Sequence, residues 1–323
     1  MANNNYTHDG RQAIAVVPLV MMFALWGTGL FVWSRTGDVV TLIFFFYIGL
    51  FLGATIGGYI GVPDRDRPDM RRAVMLMMGG MLLVAAFATD HGNMQIEGLF
   101  FALLGGVGSF VIIHYLLAKI VGPLIFGRIW CGWACWFGMI FDILPYPYSR
   151  YRHDGQWGWV RVGHFALSFV IVAILVFGFD YVGGAEGSSG LVWFIVGLSL
   201  YYAVGIGMAF ALKDNRAFCK YLCPIAVPMK ATSRFSLLKI KARSTEGCAN
   251  CETCVEMCPM NIRVKDYVVG GQRVLSTECT LCQTCINVCP KDALILTFGF
   301  DVTDREILDH EPDVKAQREK YAR

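Results

Sequence analysis

Long apolar stretches dominate the first two thirds of the chain. A helix needs roughly 20 residues to cross the hydrocarbon core of a bilayer, and six stretches approach or exceed that length. The first of them lacks a small-residue cleavage site, which favours a retained helix over a signal peptide. The pattern therefore predicts an all-α membrane bundle of six transmembrane helices. The stretches cover residues 12–34, 39–61, 73–89, 97–118, 162–182 and 190–212.

The Lys and Arg residues alternate between the connections of these stretches. They are concentrated after the second, fourth and sixth stretches, whereas the first connection has only Arg35. The third and fifth connections carry acidic residues instead, among them Asp90 and Glu97 in the third. Because positive residues favour the cytoplasmic side of a membrane, the alternation predicts both termini in the cytoplasm of a bacterial inner membrane.

Composition narrows the class of protein further. Of the 323 residues, 55% are hydrophobic and 16% are charged, and the mean hydropathy is +0.50. Soluble domains average about 25% charged residues, so the composition excludes an ordinary cytosolic enzyme and a disordered chain. The net charge of +3 gives no reason to expect a nucleic-acid partner. The basic run at 213–243 is typical of a cytoplasmic anchor, and it also suits anionic lipids or an acidic partner.

The character of the chain changes after residue 243, where the apolar stretches end and cysteines crowd together. We therefore predict a membrane domain at 1–243, a small α+β ferredoxin-like domain at 244–300 and a charged tail at 301–323. Within the second domain, the segment 267–275 contains a glycine pair and predicts a short β-hairpin.

Two copies of the motif CxxCxxCxxxCP occupy residues 248–259 and 279–290. In bacterial ferredoxins three cysteines of each run ligate one 4Fe–4S cluster, and the fourth ligates the other cluster. Zinc is the main alternative, but a zinc site usually needs only four ligands, whereas this segment offers eight cysteines. The prediction is therefore two 4Fe–4S clusters. Cluster one takes Cys248, Cys251, Cys254 and Cys289, and cluster two takes Cys258, Cys279, Cys282 and Cys285.

The four remaining cysteines form two CxxxC pairs, Cys131 with Cys135 and Cys219 with Cys223. On a helix both thiols of such a pair share a face. Each pair follows a stretch that is predicted to exit on the cytoplasmic side, so the two pairs lie at similar depth. They predict a third 4Fe–4S cluster at the membrane edge. A redox-active disulfide, a bound copper ion and structural thiols are the alternatives.

These motifs together resemble a known family over roughly residues 120–300. Membrane-edge CxxxC pairs followed by a two-cluster ferredoxin domain are similar to the NapH/MauN group of membrane iron–sulfur proteins, to the C-terminal half of NosR and to CcoG. Cys223 precedes a proline as in that family, whereas Trp136 follows Cys135. The resemblance implies membrane-bound electron transfer, most often quinol oxidation for a respiratory partner. The six predicted spans exceed the four usual in NapH-like proteins, and no flavin-binding domain of the NosR kind is present.

A quinone site needs an apolar slot, a hydrogen-bonding group and a proton route beside a cluster. The aromatic segment 130–148, which contains Asp142, suits such a site or an interfacial aromatic belt. His114 and His164 are ionisable residues at predicted membrane depth and are therefore functional candidates. They suit contact with a quinone or the ligation of one haem b. Hydrogen-bonded structural histidines are the alternative.

The expected function is an electron-transfer subunit that links the quinone/quinol pool to a redox partner in a respiratory-type, multi-subunit quinol dehydrogenase complex. The alternatives are an accessory reductase, for example for copper or a cofactor, and a redox sensor. Every cysteine is predicted at the cytoplasmic side. A periplasmic cytochrome or reductase partner would therefore require a further subunit or a diffusing quinone.

Overall fold

The computed structural model describes residues 5–88, 93–147, 157–243, 247–301 and 306–307, with the backbone alone at residues 5–15, 85 and 88. Most of the described residues are helical, which confirms the mostly helical architecture expected from the apolar stretches. Asp90, Tyr148 and most of the predicted tail at 301–323 lie outside the described residues.

The described helices form a large helical part and a smaller ferredoxin-like part. Two of the helices contain a π-helical segment, Phe51–Gly57 in α2 and Leu116–Val121 in α5. The helical part comprises α1 (Asn5–Thr36), α2 (Val39–Gly61), α3 (Arg67–Ala88), α4 (Ile96–Leu104), α5 (Phe110–Phe126), α6 (Ile129–Trp133), α7 (Trp136–Phe141), α8 (Trp157–Phe179), α9 (Gly187–Leu212), α10 (Ala217–Tyr221) and α11 (Ala226–Ser233). The ferredoxin-like part comprises β1 (Leu238–Ala242), α12 (Thr253–Glu256), α13 (Val264–Val269), α14 (Thr284–Asn287) and β2 (Leu294–Phe298).

Four of the described helices are long and apolar enough to cross a membrane. They are Val16–Thr36 of α1, α2, α8 and α9, and they correspond to the first, second, fifth and sixth apolar stretches. A fifth crossing results if the pair formed by α5 and the segment Ile129–Phe141, which is bent by 97°, counts as one span. Residues 73–88 of the third apolar stretch lie in α3, a helix of 22 residues, and residue 89 lies outside the described residues.

The fourth apolar stretch, residues 97–118, is not one helix as predicted. Helix α4 ends at Leu104, and the chain resumes a helical course only at Phe110. Gly106 between them has a φ of +64°, a conformation that favours glycine and ends the helix. Ser109 then caps α5, because its hydroxyl accepts a hydrogen bond from the Val111 amide at 3.3 Å. The helix in which His114 lies therefore begins at Phe110.

The core of the helical part is built largely of aromatic side chains. Phe137 and Phe141 from α7, Phe194 from α9 and Phe218 from α10 are at most 1% exposed. Their rings meet edge-on or tilted, for example Phe141 and Phe218 with centroids 5.5 Å apart, and such pairs stabilise beyond their buried area. The aromatic segment at 130–148 therefore supplies part of a packed core, which differs from the interfacial belt considered above.

The ferredoxin-like part is closed by a two-stranded antiparallel sheet. Strand β1 pairs with β2 from Leu238 opposite Phe298 to Ala242 opposite Leu294, so the sheet begins before the predicted boundary at 244. The hairpin predicted at 267–275 is wrong, since its first three residues belong to α13. Val264, Tyr267 and Val268 are each at most 2% exposed, and this spacing of i, i+3 and i+4 belongs to one face of a helix.

One buried carboxylate joins the two parts. Glu278 in the ferredoxin-like part is 1% exposed. Its side chain accepts hydrogen bonds from Arg128 at 3.0 Å, from Arg161 of α8 at 2.5 Å and from Lys230 of α11. Three cations from different elements of the helical part therefore converge on a single acid, and that acid is the residue before Cys279.

We predict that Glu278→Gln loosens this junction. The substitution keeps the size of the side chain but leaves three cations, two of them fully buried, without their counter-charge. Removing one partner of a buried ion pair costs about 3–5 kcal/mol. Hydrogen exchange of the full chain is expected to accelerate at residues 277–281, and the midpoint of thermal unfolding to fall.

The matched control is Glu186→Gln, an exposed acid at the start of α9. Exposed substitutions usually change stability by less than about 0.5 kcal/mol. Equal exchange at residues 277–281 in both variants would show that Glu278 does not hold the two parts together.

Candidate iron–sulfur centres

The first cavity of the ferredoxin-like part is lined by the four cysteines assigned to cluster one. It measures about 400 Å³ including its open mouth, and Pro290 also lines it. Asn250 and Glu252 have φ values of +54° and +62°, which turns the loop tightly before α12. Its four cysteines are Cys248, Cys251, Cys254 and Cys289.

A second cavity of about 330 Å³ is lined by the four cysteines assigned to cluster two. Leu281 and Gln283 repeat the left-handed pattern of the first loop, with φ values of +51° and +60°. Pro259 lines this cavity as Pro290 lines the other, so the last cysteine of each motif crosses to the opposite cavity. Its four cysteines are Cys258, Cys279, Cys282 and Cys285.

The surroundings of these thiols suit iron–sulfur ligation. The two crossing cysteines accept hydrogen bonds at 3.4 Å from amides four residues on, Cys258 from Ile262 and Cys289 from Ala293. Burial and the neighbouring thiols raise the pKa of Cys254 and of Cys279 to about 12. Cysteines ligate metals as thiolates, so binding of the cluster releases these protons. Amide donors to sulfur then contribute to the reduction potential.

A single metal ion is a different case. Among the residues that the structure describes, no group of three or more His, Cys, Asp or Glu side chains is placed to hold one ion.

The two CxxxC pairs do not lie on single helices, contrary to the prediction. Cys131 lies in α6, which ends at Trp133, and Cys135 is the extended residue that precedes α7. Cys219 lies in α10, and Cys223 follows its end. The thiols of each pair are therefore oriented by the turn between the two cysteines and not by a shared helical face.

The structure nevertheless places all four of these cysteines within electrostatic range of one another. Cys219 belongs to the core of the helical part, and Cys131, Cys135 and Cys223 pack against that core. Burial raises the pKa of the Cys219 thiol to about 11, which Arg216 opposes and the Cys135 and Cys131 thiols reinforce. We call these four residues the membrane-edge cysteines.

An ion-pair clamp holds the segments that carry the membrane-edge cysteines. Asp142 binds Arg71 at 2.8 Å and Arg216 at 2.6 Å. Arg71 also donates to the Gly132 carbonyl at 2.7 Å, and Arg216 donates to the Cys131 carbonyl at 3.0 Å. Burial favours a raised pKa for Asp142, but Arg216 and Arg71 outweigh it and lower the pKa to about 2. Asp142 is thus ionised at neutral pH, and as an anion it orients Arg71 and Arg216.

The two candidate histidines have separate partners. The ring of His114 stacks on Trp136 at a centroid distance of 6.5 Å, and its Nε2 is buried without a hydrogen-bond partner among the described residues. The Nδ1 of His164 lies 2.8 Å from the Leu222 carbonyl oxygen, and its Nε2 lies 3.3 Å from the Tyr201 hydroxyl. Both ring nitrogens of His164 are therefore engaged within the protein.

Sequence reasoning missed Glu97 as a site residue. It placed Glu97 in an outer connection, whereas the structure inserts it between α8 and α9. One carboxylate oxygen accepts hydrogen bonds from Ser168 at 2.9 Å and from Tyr201. The available signal was that Glu97 opens an otherwise uncharged apolar stretch, and charges at membrane depth are rare.

The second cavity abuts the membrane-edge cysteines. Trp133 donates from its indole nitrogen to the Leu281 carbonyl at 2.9 Å. Gly132 faces the Thr280 carbonyl so closely that an added Cβ would lie 2.3 Å from that oxygen. Arg128, which binds Glu278, also lies within electrostatic range of the Cys131 thiol. One short segment therefore touches both cysteine sets.

Sequence comparisons cover both sets of cysteines. A family model described as a 4Fe–4S dicluster domain matches residues 247–294, which contain both ferredoxin motifs. A second, described as a 4Fe–4S binding domain, matches residues 99–150 and 189–243, which contain both CxxxC pairs. No solved structure matches the chain.

Several curated proteins are similar to the chain. An uncharacterized protein of Methanocaldococcus jannaschii is 25% identical over 183 residues, or 54% of this chain and 71% of that protein. The methylamine utilization ferredoxin-type protein MauN of Methylorubrum extorquens is 27% identical over 164 residues, or 49% of this chain and 53% of that protein. The MauN of Methylobacillus flagellatus is 24% identical over 209 residues, or 55% of this chain and 72% of that protein. The chain thus spans about half of one MauN relative.

The helices and the matches define a class. The chain is a ferredoxin-type 4Fe–4S electron-transfer protein whose helical part contains four helices long and apolar enough to span a membrane. Within that class it is similar to the MauN/NapH type of ferredoxin-like proteins, which confirms the resemblance predicted from the sequence.

We predict that Gly132→Ala separates the second cavity from the membrane-edge cysteines. The added methyl group collides with the Thr280 backbone oxygen, so the loop that carries Cys282 must move. Hydrogen exchange is expected to accelerate at residues 280–283. Gly207→Ala on α9 is the control, since no described atom lies within 4 Å of its ideal Cβ. Unchanged exchange in Gly132→Ala would contradict the close contact.

Proposed function

We propose that the chain is a membrane-bound subunit that moves electrons between the quinone/quinol pool and a redox partner within a multi-subunit complex. In this proposal the chain crosses a bacterial inner membrane six times, with both termini and the ferredoxin-like part on the cytoplasmic side. The alternation of basic connections supports that topology. So does the ferredoxin-like part, which contacts Arg128 and Lys230 in two of the predicted cytoplasmic connections.

The proposal assigns three 4Fe–4S clusters to the chain. The two ferredoxin cavities hold one cluster each with the ligands given above. The membrane-edge cysteines hold the third, and the match of a 4Fe–4S binding domain to both CxxxC pairs supports this assignment. The clusters supply one-electron transfer, while the protein supplies burial and sulfur hydrogen bonds.

The observation that carries the proposal is the order of the three cysteine sets. The membrane-edge cysteines adjoin the second cavity through Trp133, Gly132 and Arg128. The second cavity is linked to the first because each cavity takes its fourth cysteine, Cys258 or Cys289, from the motif that supplies three cysteines to the other. The first cavity is open, and Cys251 at its mouth is exposed. The sets therefore form a line from the membrane edge to the protein surface, which suits electron exchange with a partner at Cys251.

The quinone assignment rests on the surroundings of His164. This histidine lies on α8 beside Tyr201, and the Leu222 carbonyl that it contacts precedes Cys223. A haem b between His114 and His164 has less support, because both ring nitrogens of His164 have other partners. Anionic lipids at 213–243 also have less support, since Arg216 and Lys220 are buried in ion pairs.

Iron content tests the third cluster. A 4Fe–4S cluster holds four irons, so the anaerobically purified wild type is expected to contain about twelve irons per chain. The double variant Cys219→Ala, Cys223→Ala is expected to contain about eight. A wild type with about eight irons, unchanged in the variant, would show that the membrane-edge cysteines hold no cluster.

Reduction by quinol tests the order of the sites. We expect a quinol to bleach the cluster absorbance of the wild type but not that of Cys219→Ala, Cys223→Ala, because electrons enter at the membrane edge. Dithionite, a soluble reductant, is expected to bleach both. Bleaching of the variant by quinol at the wild-type rate would contradict this entry point. A wild type whose clusters are not reduced by quinol but which, once reduced, passes electrons to copper(II) would favour the accessory reductase.

A further inference from the structure

A half-buried acid, Glu97, lies between two candidate membrane helices, and one of its carboxylate oxygens is fully buried. Glu97 contacts Ser168, at the middle of α8, and Tyr201, in the central part of α9. These contacts use only its Oε1 atom. The other oxygen, Oε2, is inaccessible to solvent and has no hydrogen-bond partner among the described residues.

Packing does not account for this arrangement. An ionised group inside a membrane is costly, and such groups therefore mark proton or ion pathways. A buried oxygen without a partner adds a further desolvation cost. Protonation of Oε2 would remove the charge and most of that cost, so the site is built to accept a proton.

Polar groups connect Glu97 to the membrane-edge cysteines. The Tyr201 hydroxyl, which donates to Glu97, lies 3.3 Å from His164 Nε2. His164 in turn contacts the Leu222 carbonyl next to Cys223. Tyr115 is 2% exposed, and its hydroxyl has no partner among the described residues. It lies within electrostatic range of Glu97, Tyr201 and the Cys135 and Cys223 thiols.

Two buried polar residues precede Glu97 in the chain and lie toward the connection between α8 and α9. Gln95 and Asn93 are at most 1% exposed. The Asn93 side-chain oxygen accepts a hydrogen bond from the Gln95 backbone amide at 3.1 Å. The Asn93 amide donates to Ala185 in the connection between α8 and α9. That connection joins the ends of α8 and α9 remote from Arg161, where the ferredoxin-like part docks.

We propose that Glu97 binds and releases a proton in step with electron transfer at the membrane-edge cysteines. This rests on the proposed function, in which the electron donor is a quinol. Oxidation of one quinol to quinone breaks two O–H bonds and yields two electrons and two protons. The electrons leave singly toward the ferredoxin-like part. The protons pass singly to the Glu97 carboxylate through Tyr201, and Glu97 releases each to solvent water before it accepts the next.

The groups that face Glu97 are Ser168 of α8, Tyr201 of α9 and, within electrostatic range, Tyr115 of α5. His164 faces Tyr201 from α8. Among the described residues no cation pairs with Glu97, so its protonation is free to follow the charge at the neighbouring cysteines.

Infrared difference spectroscopy tests the proposal on the full chain. The protein is cycled between oxidised and reduced states on an electrode, and the band of a protonated carboxylic acid is recorded. We expect such a band in the wild type, its complete loss in Glu97→Gln and its retention in the control Glu186→Gln. Tyr201→Phe removes one hydrogen bond to Glu97 and is expected to shift the band without abolishing it.

Iron content and cluster spectra are measured on each preparation, so that a variant that does not fold is recognised. If Glu97→Gln does not fold, the shift of the band in Tyr201→Phe tests the proposal by itself. A wild type with full cluster content but no carboxylic acid band would overturn the proposal, and so would an unchanged band in Glu97→Gln or Tyr201→Phe. If the Glu97 band appears on the electrode but quinol does not reduce the clusters, proton coupling at Glu97 stands and the quinol function fails.

Discussion

The arrangement of the cysteine sets depends on the ion-pair junction at Glu278. Burying one carboxylate costs several kcal/mol of desolvation, and three cations from separate elements offset that cost at a single point. Glu278 directly precedes Cys279, and Arg128 also reaches Cys131. The position of the second cavity relative to the membrane edge is therefore set by the same contacts that join the two parts.

Buried arginines also hold together the segments at the membrane edge. Arg71, Arg128, Arg161 and Arg216 are each at most 3% exposed. In the proposed topology these arginines lie in cytoplasmic connections. Their guanidinium groups also pair with Asp142 and Glu278 and bind backbone carbonyls beside the cysteines. Arginine suits this role because its planar donors hold carboxylates and carbonyls at once. The basic residues on which the proposed topology rests therefore also hold the structure together.

Sequence reasoning succeeded where the determinants are local. Ligands separated by two residues must share a loop, so the spacing grouped three thiols of each cavity, and the bacterial ferredoxin pattern assigned the crossing Cys258 and Cys289. It failed where distant segments decide. Glu97 meets Ser168 and Tyr201, which lie 71 and 104 residues away along the chain, and no local pattern encodes that contact. The hairpin at 267–275 failed because turn residues outweighed the helical spacing of Val264, Tyr267 and Val268.

The central claim is that the second cavity lies between the membrane-edge cysteines and the first cavity, and that each set holds a cluster. An electron cryo-microscopy map of the anaerobically purified full chain tests this most directly. The account predicts three iron-rich densities in a row, with the density held by Cys258, Cys279, Cys282 and Cys285 in the middle. A map with density only in the two ferredoxin cavities, or with the Cys248 set nearest the membrane edge, would contradict it.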